Sequence, residues 1–213
     1  MNENIEGSDS LLRSVGRFFW ELLKAFLIAM VIIIPIRYYL VQPFFVRGAS
    51  MEPTFDDGEY LVIDQLSYQF REPRRSEVIV FRYPLRPSQF FIKRLVGLPG
   101  ERVVISDGRV VIYNAKHPEG VILDETEYLP ESVRTGGQVD ITLGADQYFV
   151  LGDNRPASSD SRSWGQLGEA YIIGRTWIRA YPFDRLDVFD PHTPGFVSLS
   201  NESSTTIRTQ PLQ

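Results

Sequence analysis

Val46-Arg47-Gly48-Ala49-Ser50-Met51-Glu52-Pro53-Thr54-Phe55 divides the chain into two parts of different character. Ahead of it lies a long apolar run; behind it come short runs of Val, Ile and aromatic residues separated by turn formers. The first part reads as a helix and the second as β-strands, so this stretch marks the passage between them. Ser50 follows Gly48 and Ala49 and precedes Pro53, which places it on a constrained bend with an accessible backbone N–H. That setting suits a nucleophile, and it equally describes an ordinary turn.

Working outward toward the N-terminus, residues 17–40 carry Phe18-Phe19-Trp20, Leu22-Leu23 and the run from Ala25 to Ile34. One transmembrane helix is expected here, kinked or ended near Pro35. Lys24 can snorkel and pair with Glu21 one turn earlier, while Tyr38 and Tyr39 suit an interfacial belt. A cleaved signal peptide is the rival, but it would need small residues where Arg37-Tyr38-Tyr39 stands. Residues 1–16 read as a polar leader, without order over residues 1–10. Arg13, Arg17 and Lys24 favour a cytoplasmic N-terminus, although Arg37 and Arg47 weaken the bias.

Toward the C-terminus the expected strands are Glu59–Ile63, Glu77–Phe81, Phe90–Val96, Arg102–Ile105, Arg109–Tyr113, Gln147–Leu151 and a closing strand over Tyr171–Ile178. Ser106-Asp107-Gly108 is a hairpin turn. Residues 114–140 are polar and rich in Gly and Glu, an excursion within an inserted cap of about 106–146. Residues 41–189 thus form one mostly β domain of antiparallel sheets, and 190–213 a flexible tail.

Composition narrows the chemistry. The 213 residues are 43% hydrophobic and 13% aromatic with a net charge of −5, which argues against both a disordered chain and a nucleic-acid partner. The absence of Cys removes disulfides, thiolate catalysis and Cys-based metal sites. The only two His, His117 and His192, lie in loop-like contexts, so neither a Ser-His-Asp triad nor a His-based metal cluster is expected. No metal and no cofactor is expected.

Of 22 basic residues only Lys24, Lys93 and Lys116 are Lys. Lys93 interrupts the apolar run Phe90–Val96. It reads either as an outward-facing edge-strand lysine, which discourages aggregation, or as an inward-facing one. If inward, burial lowers its pKa and leaves a neutral amine able to take a serine proton. A third stretch, Gly152-Asp153-Asn154-Arg155-Pro156-Ala157-Ser158-Ser159-Asp160-Ser161-Arg162, is dense in short hydrogen-bonding side chains. Asp160 and Arg162 can form a charge-assisted pair that fixes it, although alone it is also a plain polar turn.

These stretches in this order resemble type I signal peptidases from about Leu22 to Phe189. The resemblance rests on Ser50-Met51-Glu52-Pro53-Thr54, on the strand from Val78 to Tyr83-Pro84, on Lys93 to Glu101, and on Gly152 to Arg162. It implies a signal-peptidase and repressor-like β fold behind one membrane anchor, and a Ser–Lys serine endopeptidase that removes signal peptides after small-x-small sites. Ser50 would be the nucleophile and Lys93 the general base. Ser158 would orient the amine, with Asp160, Arg162, Asp153 and Arg155 supporting the loop. Some members of the family have a Ser two positions before the nucleophile as an oxyanion donor; here that position is Gly48. Phe44, Val46, Phe55 and Ile92 are expected to wall shallow substrate pockets or else to be core, and Trp164 and Trp177 to meet lipid or pack inside.

The expected partners are signal peptides of exported preproteins and membrane lipid, the protein being a single-pass monomer. Its catalytic domain would face the periplasm, the cell exterior or a thylakoid lumen. An autoproteolytic repressor would share the Ser–Lys chemistry but carry a DNA-binding segment, whereas the residues ahead of Ser50 read as an apolar helix. A non-enzymatic β module, with Ser50 and Lys93 incidental, is the other alternative.

Overall fold

The computed structural model describes residues 3–35, 41–189 and 195–198. The chain forms two compact units, one up to Gln42 and one from Pro43 onward.

The first unit is a single helix, α1, spanning Glu3–Pro35. It begins well ahead of the residue expected from the apolar pattern, and the leader read as unordered is helical from Glu3. Once the apolar run has nucleated a helix, each added residue contributes a hydrogen bond for little entropy. The described helix runs to Pro35, a residue that lacks the N–H for an intrahelical bond. Lys24 Nζ pairs with Glu21 Oε1 at 2.7 Å, and Phe18, Phe19, Trp20, Phe26, Ile28 and Val31 are all exposed. Among the described residues, no helix is long and apolar enough to cross a membrane. Residues 36–40 of the expected span lie outside the described residues.

Among the described residues the second unit contains thirteen strands: β1 Val41–Phe45, β2 Tyr60–Asp64, β3 Val78–Arg82, β4 Phe90–Gly97, β5 Arg102–Ser106, β6 Arg109–Asn114, β7 His117–Leu123, β8 Val139–Thr142, β9 Gln147–Leu151, β10 Leu167–Gly168, β11 Ile172–Tyr181, β12 Asp187–Val188 and β13 Phe196–Ser198. They make two antiparallel sheets. One runs β1-β2-β11-β3-β4-β9-β10 with β12 beside β11; the other runs β13-β7-β6-β5-β8. The expected hairpin joins β5 and β6, with Ser106 opposite Arg109 and the left-handed pair Asp107-Gly108 between them.

Three elements differ from the sequence reading. The strand expected to close the sheet, β11, lies in its middle, between β2 and β3, a long-range pairing that local pattern does not encode. The excursion over 114–140 contains β7, whose Val121, Ile122 and Leu123 are buried, and β8. The clue was the Gly120-Val121-Ile122-Leu123 run behind a polar start. The tail read as flexible over 190–213 contributes β13, paired with β7 at Phe196↔Leu123; most of the remaining tail lies outside the described residues.

Two apolar clusters bear on the site. Val46, Met51, Phe55, Leu61, Ile63, Val78 and Val80 pack behind the Ser50 stretch. Val96, Val103, Ile105, Ile112, Phe149 and Leu151 with their neighbours join the second sheet to the ends of β4 and β9. Trp164 packs on Phe81 and Tyr83 at ring separations of 5.9 Å, so it belongs to the interior, whereas Trp177 is exposed.

Gly97, the last residue of β4, has no room for a side chain: an added Cβ would lie 2.6 Å from Val103 Cγ2 and 2.8 Å from both Leu143 Cδ1 and Phe149 Cβ. Gly97→Ala should therefore destabilise the β unit by roughly 1–3 kcal/mol, measured by denaturant unfolding; an unchanged midpoint and slope would show that this junction is looser than described.

Candidate active site

Ser50 sits on the loop between β1 and β2. The neck of that loop is closed by Val46 N–H donating to Glu59 O at 2.9 Å and Gly58 N–H to Val46 O at 3.1 Å. Gly48 adopts φ +85°, a left-handed conformation that a side chain would strain, and its N–H donates to Asp57 Oδ1 at 2.6 Å. Met51 and Phe55, both fully buried, anchor the loop in the core. Ser50 is left half-buried at its surface.

Lys93 arrives from β4. It stands opposite Ile79 of β3, and β9 covers the other side of β4 at Arg94. The strand is therefore interior to the sheet, and Lys93 is only 3% exposed, which disposes of the outward-facing edge reading. Its Nζ donates to Ser50 Oγ at 2.7 Å and to the Ile92 carbonyl at 2.7 Å. Burial pushes the amine down to about 8 against a weaker upward pull from Asp160 and Asp153. A serine hydroxyl beside a lysine whose pKa is lowered is an arrangement able to serve as a nucleophile with its base.

The Gly152–Arg162 loop braces this pair through main-chain contacts. Asn154 N–H donates to the Ser50 carbonyl at 3.1 Å, and Asn154 Nδ2 to the Ala49 carbonyl at 3.0 Å. Asp160 caps the short helix α2, Ser161–Trp164. The expected ion pair is present and bidentate: Arg162 Nε and Nη2 each reach an Asp160 carboxylate oxygen at 2.8 Å. Burial alone would raise the Asp160 carboxyl, but Arg162 and the Gly152 N–H outweigh it and hold it below the usual range.

Asp153 and Arg155 stand one step further out. Asp153 accepts Arg94 Nε at 2.8 Å and Nη2 at 2.6 Å, and Thr54 Oγ1 at 2.5 Å. Arg155 donates to Gly152 O and to Glu125 Oε2, each at 3.0 Å, and also to Thr135 Oγ1. Ser158 Oγ is buried, makes no bond to Lys93 and lies beside Asp160, whose carboxyl it helps to hold down. It crowds Gly152, where an added Cβ would overlap that hydroxyl and lie 2.5 Å from the Ser50 carbonyl oxygen.

A groove of about 650 Å³ runs past Ser50 and Lys93. Phe44, Val46 and Ile92 line it as expected, with Phe90 and Phe91 added; the Phe44 and Phe90 rings pack edge-on at 5.5 Å. Phe55 does not reach it. Its ring is fully buried against Phe189 at 4.9 Å, because the loop turns that side chain inward behind Ser50. Sequence reasoning also passed over Thr54, Arg94 and Asn154, all inside the quoted motifs, and Glu125 and Tyr128, which lie in the polar excursion and carried no signal. Arg94 stacks over the Tyr128 ring at 3.9 Å.

Comparison with known proteins places the chain in a family. Residues 19–181 match the profile of the family described as signal peptidase, peptidase S26. A protein named probable signal peptidase I-2 from Synechocystis sp. is 36% identical over 171 residues, covering 78% of this chain and 75% of that one. Signal peptidase I of Leptolyngbya laminosa is 35% identical over 181 residues, covering 80% and 84%. A crystal structure of a signal peptidase I from Enterococcus faecalis V583 aligns with 49% of this chain and 97% of its own at 32% identity, with a TM-score of 0.40. With the family profile spanning most of its length and relatives of this similarity on both counts, the chain belongs to the signal peptidase I family of serine endopeptidases, the enzymes that act on the signal peptides of preproteins.

Proposed function

We propose that this chain is a membrane-anchored serine endopeptidase that cleaves N-terminal signal peptides from exported preproteins with a Ser50–Lys93 dyad. The observation that carries the reading is the 2.7 Å contact between Lys93 Nζ and Ser50 Oγ, made by an amine that is almost wholly buried. Neutral Lys93 takes the Ser50 proton as Oγ attacks the scissile carbonyl. The resulting ammonium returns that proton to the leaving amine, which gives an acyl-enzyme and a neutral lysine. Lys93 then activates the water that releases the acyl group.

The Ser50 N–H makes no hydrogen bond among the described residues and is the donor assigned to the oxyanion. With no side chain at Gly48, the second donor is a backbone group or a water. Ser158, buried beside Asp160, is assigned to hold the amine once Ser50 is acylated and has left it. Asp160 with Arg162, and Asp153 with Arg155, keep the supporting loop in place.

Specificity follows from the groove. A substrate in extended form would add as a strand between β1 and β4. Alternate side chains then point at the wall formed by Phe44, Val46 and Ile92, which leaves room for small residues at a small-x-small site. Anchoring is assigned to residues 17–40, whose exposed Phe, Trp, Ile and Val side chains on α1 suit a lipid environment, with residues 1–16 in the cytoplasm, the 41–189 domain outside it and the protein acting as a monomer.

Cleavage of a purified preprotein tests the dyad. Ser50→Ala, Lys93→Ala and Lys93→Arg should each lose about 10³-fold or more in kcat/KM, since arginine supplies no neutral base; processing at the wild-type rate by the first two would refute the dyad, and no cleavage by the wild-type protein would identify a non-enzymatic module. Because the folded Lys93 has its pKa lowered to about 8, it is protonated below that value and neutral above it. The logarithm of kcat/KM should climb with pH up to about 8 and then level, and a profile flat from acid to alkaline would refute the neutral-lysine mechanism. Gly152→Ala should displace Ser158 or the Ser50 carbonyl and lower kcat about 10²-fold with circular dichroism unchanged; undiminished turnover would mean that this contact does not set the dyad geometry.

A further inference from the structure

Arg179, on β11, is buried at 7% exposure in the core behind the Ser50 loop. Its Nη2 donates to the Thr54 carbonyl at 2.6 Å, and its Nε lies 3.0 Å from Glu59 Oε2. Its guanidinium carbon is 5.2 Å from the ring centroids of both Phe55 and Phe189. Glu59 is 2% exposed and is paired again with Arg185 Nη1 at 3.0 Å. Burial raises the Glu59 carboxyl, and the two arginines partly offset this.

These contacts bear on one short piece of chain. Thr54 and Phe55 follow Ser50 by one turn of the loop, and Glu59 is its exit, where its carbonyl receives the Val46 N–H and so closes the neck. Arg179 thus grips the loop at its middle and its end from a strand in the centre of the sheet, between β2 and β3. A buried ion pair adds little net stability over an apolar one, since desolvation offsets the attraction. What it does supply here is a fixed direction for the Thr54 carbonyl.

We infer that Arg179 is a positioning residue: together with Glu59 it fixes the 46–59 loop so that the Ser50 hydroxyl meets the Lys93 amine. The inference rests on the dyad reading above, and it assigns the residue no contact with substrate. The charges that face Lys93 are those of Asp160 and Asp153, so losing Arg179 should misplace Ser50 without retuning the base.

The test uses the full-length enzyme in detergent, with preprotein cleavage and covalent labelling of Ser50 by a fluorophosphonate as parallel readouts. Arg179→Ala should lower kcat about 10²-fold, the cost of a shift of about 1 Å in the nucleophile. Labelling should slow in step, with KM and the acid limb of the pH profile unchanged. The space left opens onto a cavity of about 410 Å³ already lined by Thr54, Arg175, Arg179 and Phe189, so millimolar guanidinium should restore part of the rate. Glu59→Gln, which keeps the size and removes the charge, should act in the same direction with a smaller loss. Wild-type kcat in a folded Arg179→Ala protein, a loss confined to KM, or a loss that follows a lowered melting temperature and resists guanidinium would each overturn the inference. If Ser50→Ala still cleaves, the dyad reading itself fails, whatever Arg179 does.

Discussion

The Lys93 amine is held out of water against the Ser50 hydroxyl, and most of the β unit is arranged around that requirement. The fall of the amine from its ordinary 10.5 to about 8 corresponds to roughly 3 kcal/mol of differential interaction, most of it desolvation that the rest of the fold must bear. Ile92, Phe91 and the sheet on both sides of β4 exclude the water. The two carboxylates near enough to restore the ordinary value, Asp160 and Asp153, are each occupied by an arginine, Arg162 and Arg94. A free carboxylate in either place would favour the ammonium form and remove the base.

The dyad is also a meeting of segments far apart in sequence. Ser50 lies on the β1–β2 loop and Lys93 on β4, and the third loop reaches the Ser50 stretch through Asn154, whose N–H and Nδ2 donate to the carbonyls of Ser50 and Ala49. Both contacts end on main-chain carbonyls of the Ser50 loop and hold it in place. They also explain why Gly152 must be bare, since the Ser50 carbonyl and the Ser158 hydroxyl occupy the space beside its Cα. The second sheet contributes through Glu125 and Tyr128, which hold Arg155 and Arg94 from outside.

What could be read from sequence divides along the same line. The strands, the Asp107-Gly108 hairpin, the Asp160–Arg162 pair and the roles open to Ser50 and Lys93 were legible because each is local or sits in a recognisable motif. Lys93 as an inward-facing base was only one of two readings, since whether β4 is an edge or an interior strand depends on β3 and β9, and pairing across dozens of residues leaves no local mark. The same blindness put β11 at the edge when it lies in the middle, and it hid Arg179 under the Ser50 loop. Phe55, expected as either a pocket wall or core, is core, because the loop turns it inward. In the 114–140 segment a polar first half masked β7, whose last four residues, Gly120 to Leu123, are buried.

Lys93 and Arg94 are consecutive, and a strand sends consecutive side chains to opposite faces. On one face the lysine, which the proposed mechanism needs without its proton, has an apolar setting and two short contacts. On the other face the arginine must stay charged, and its nitrogens are spent on Asp153, the Ser76 carbonyl and Thr54 Oγ1 while its plane lies on Tyr128. Neither residue can do the other's work: an arginine at 93 could not become neutral, and a lysine at 94 could not span two carboxylate oxygens, a hydroxyl and a carbonyl at once. The order of the two residues along one strand therefore carries both requirements of the site, a proton acceptor facing Ser50 and a permanent cation tying β4 to the loops that hold Ser50 in place.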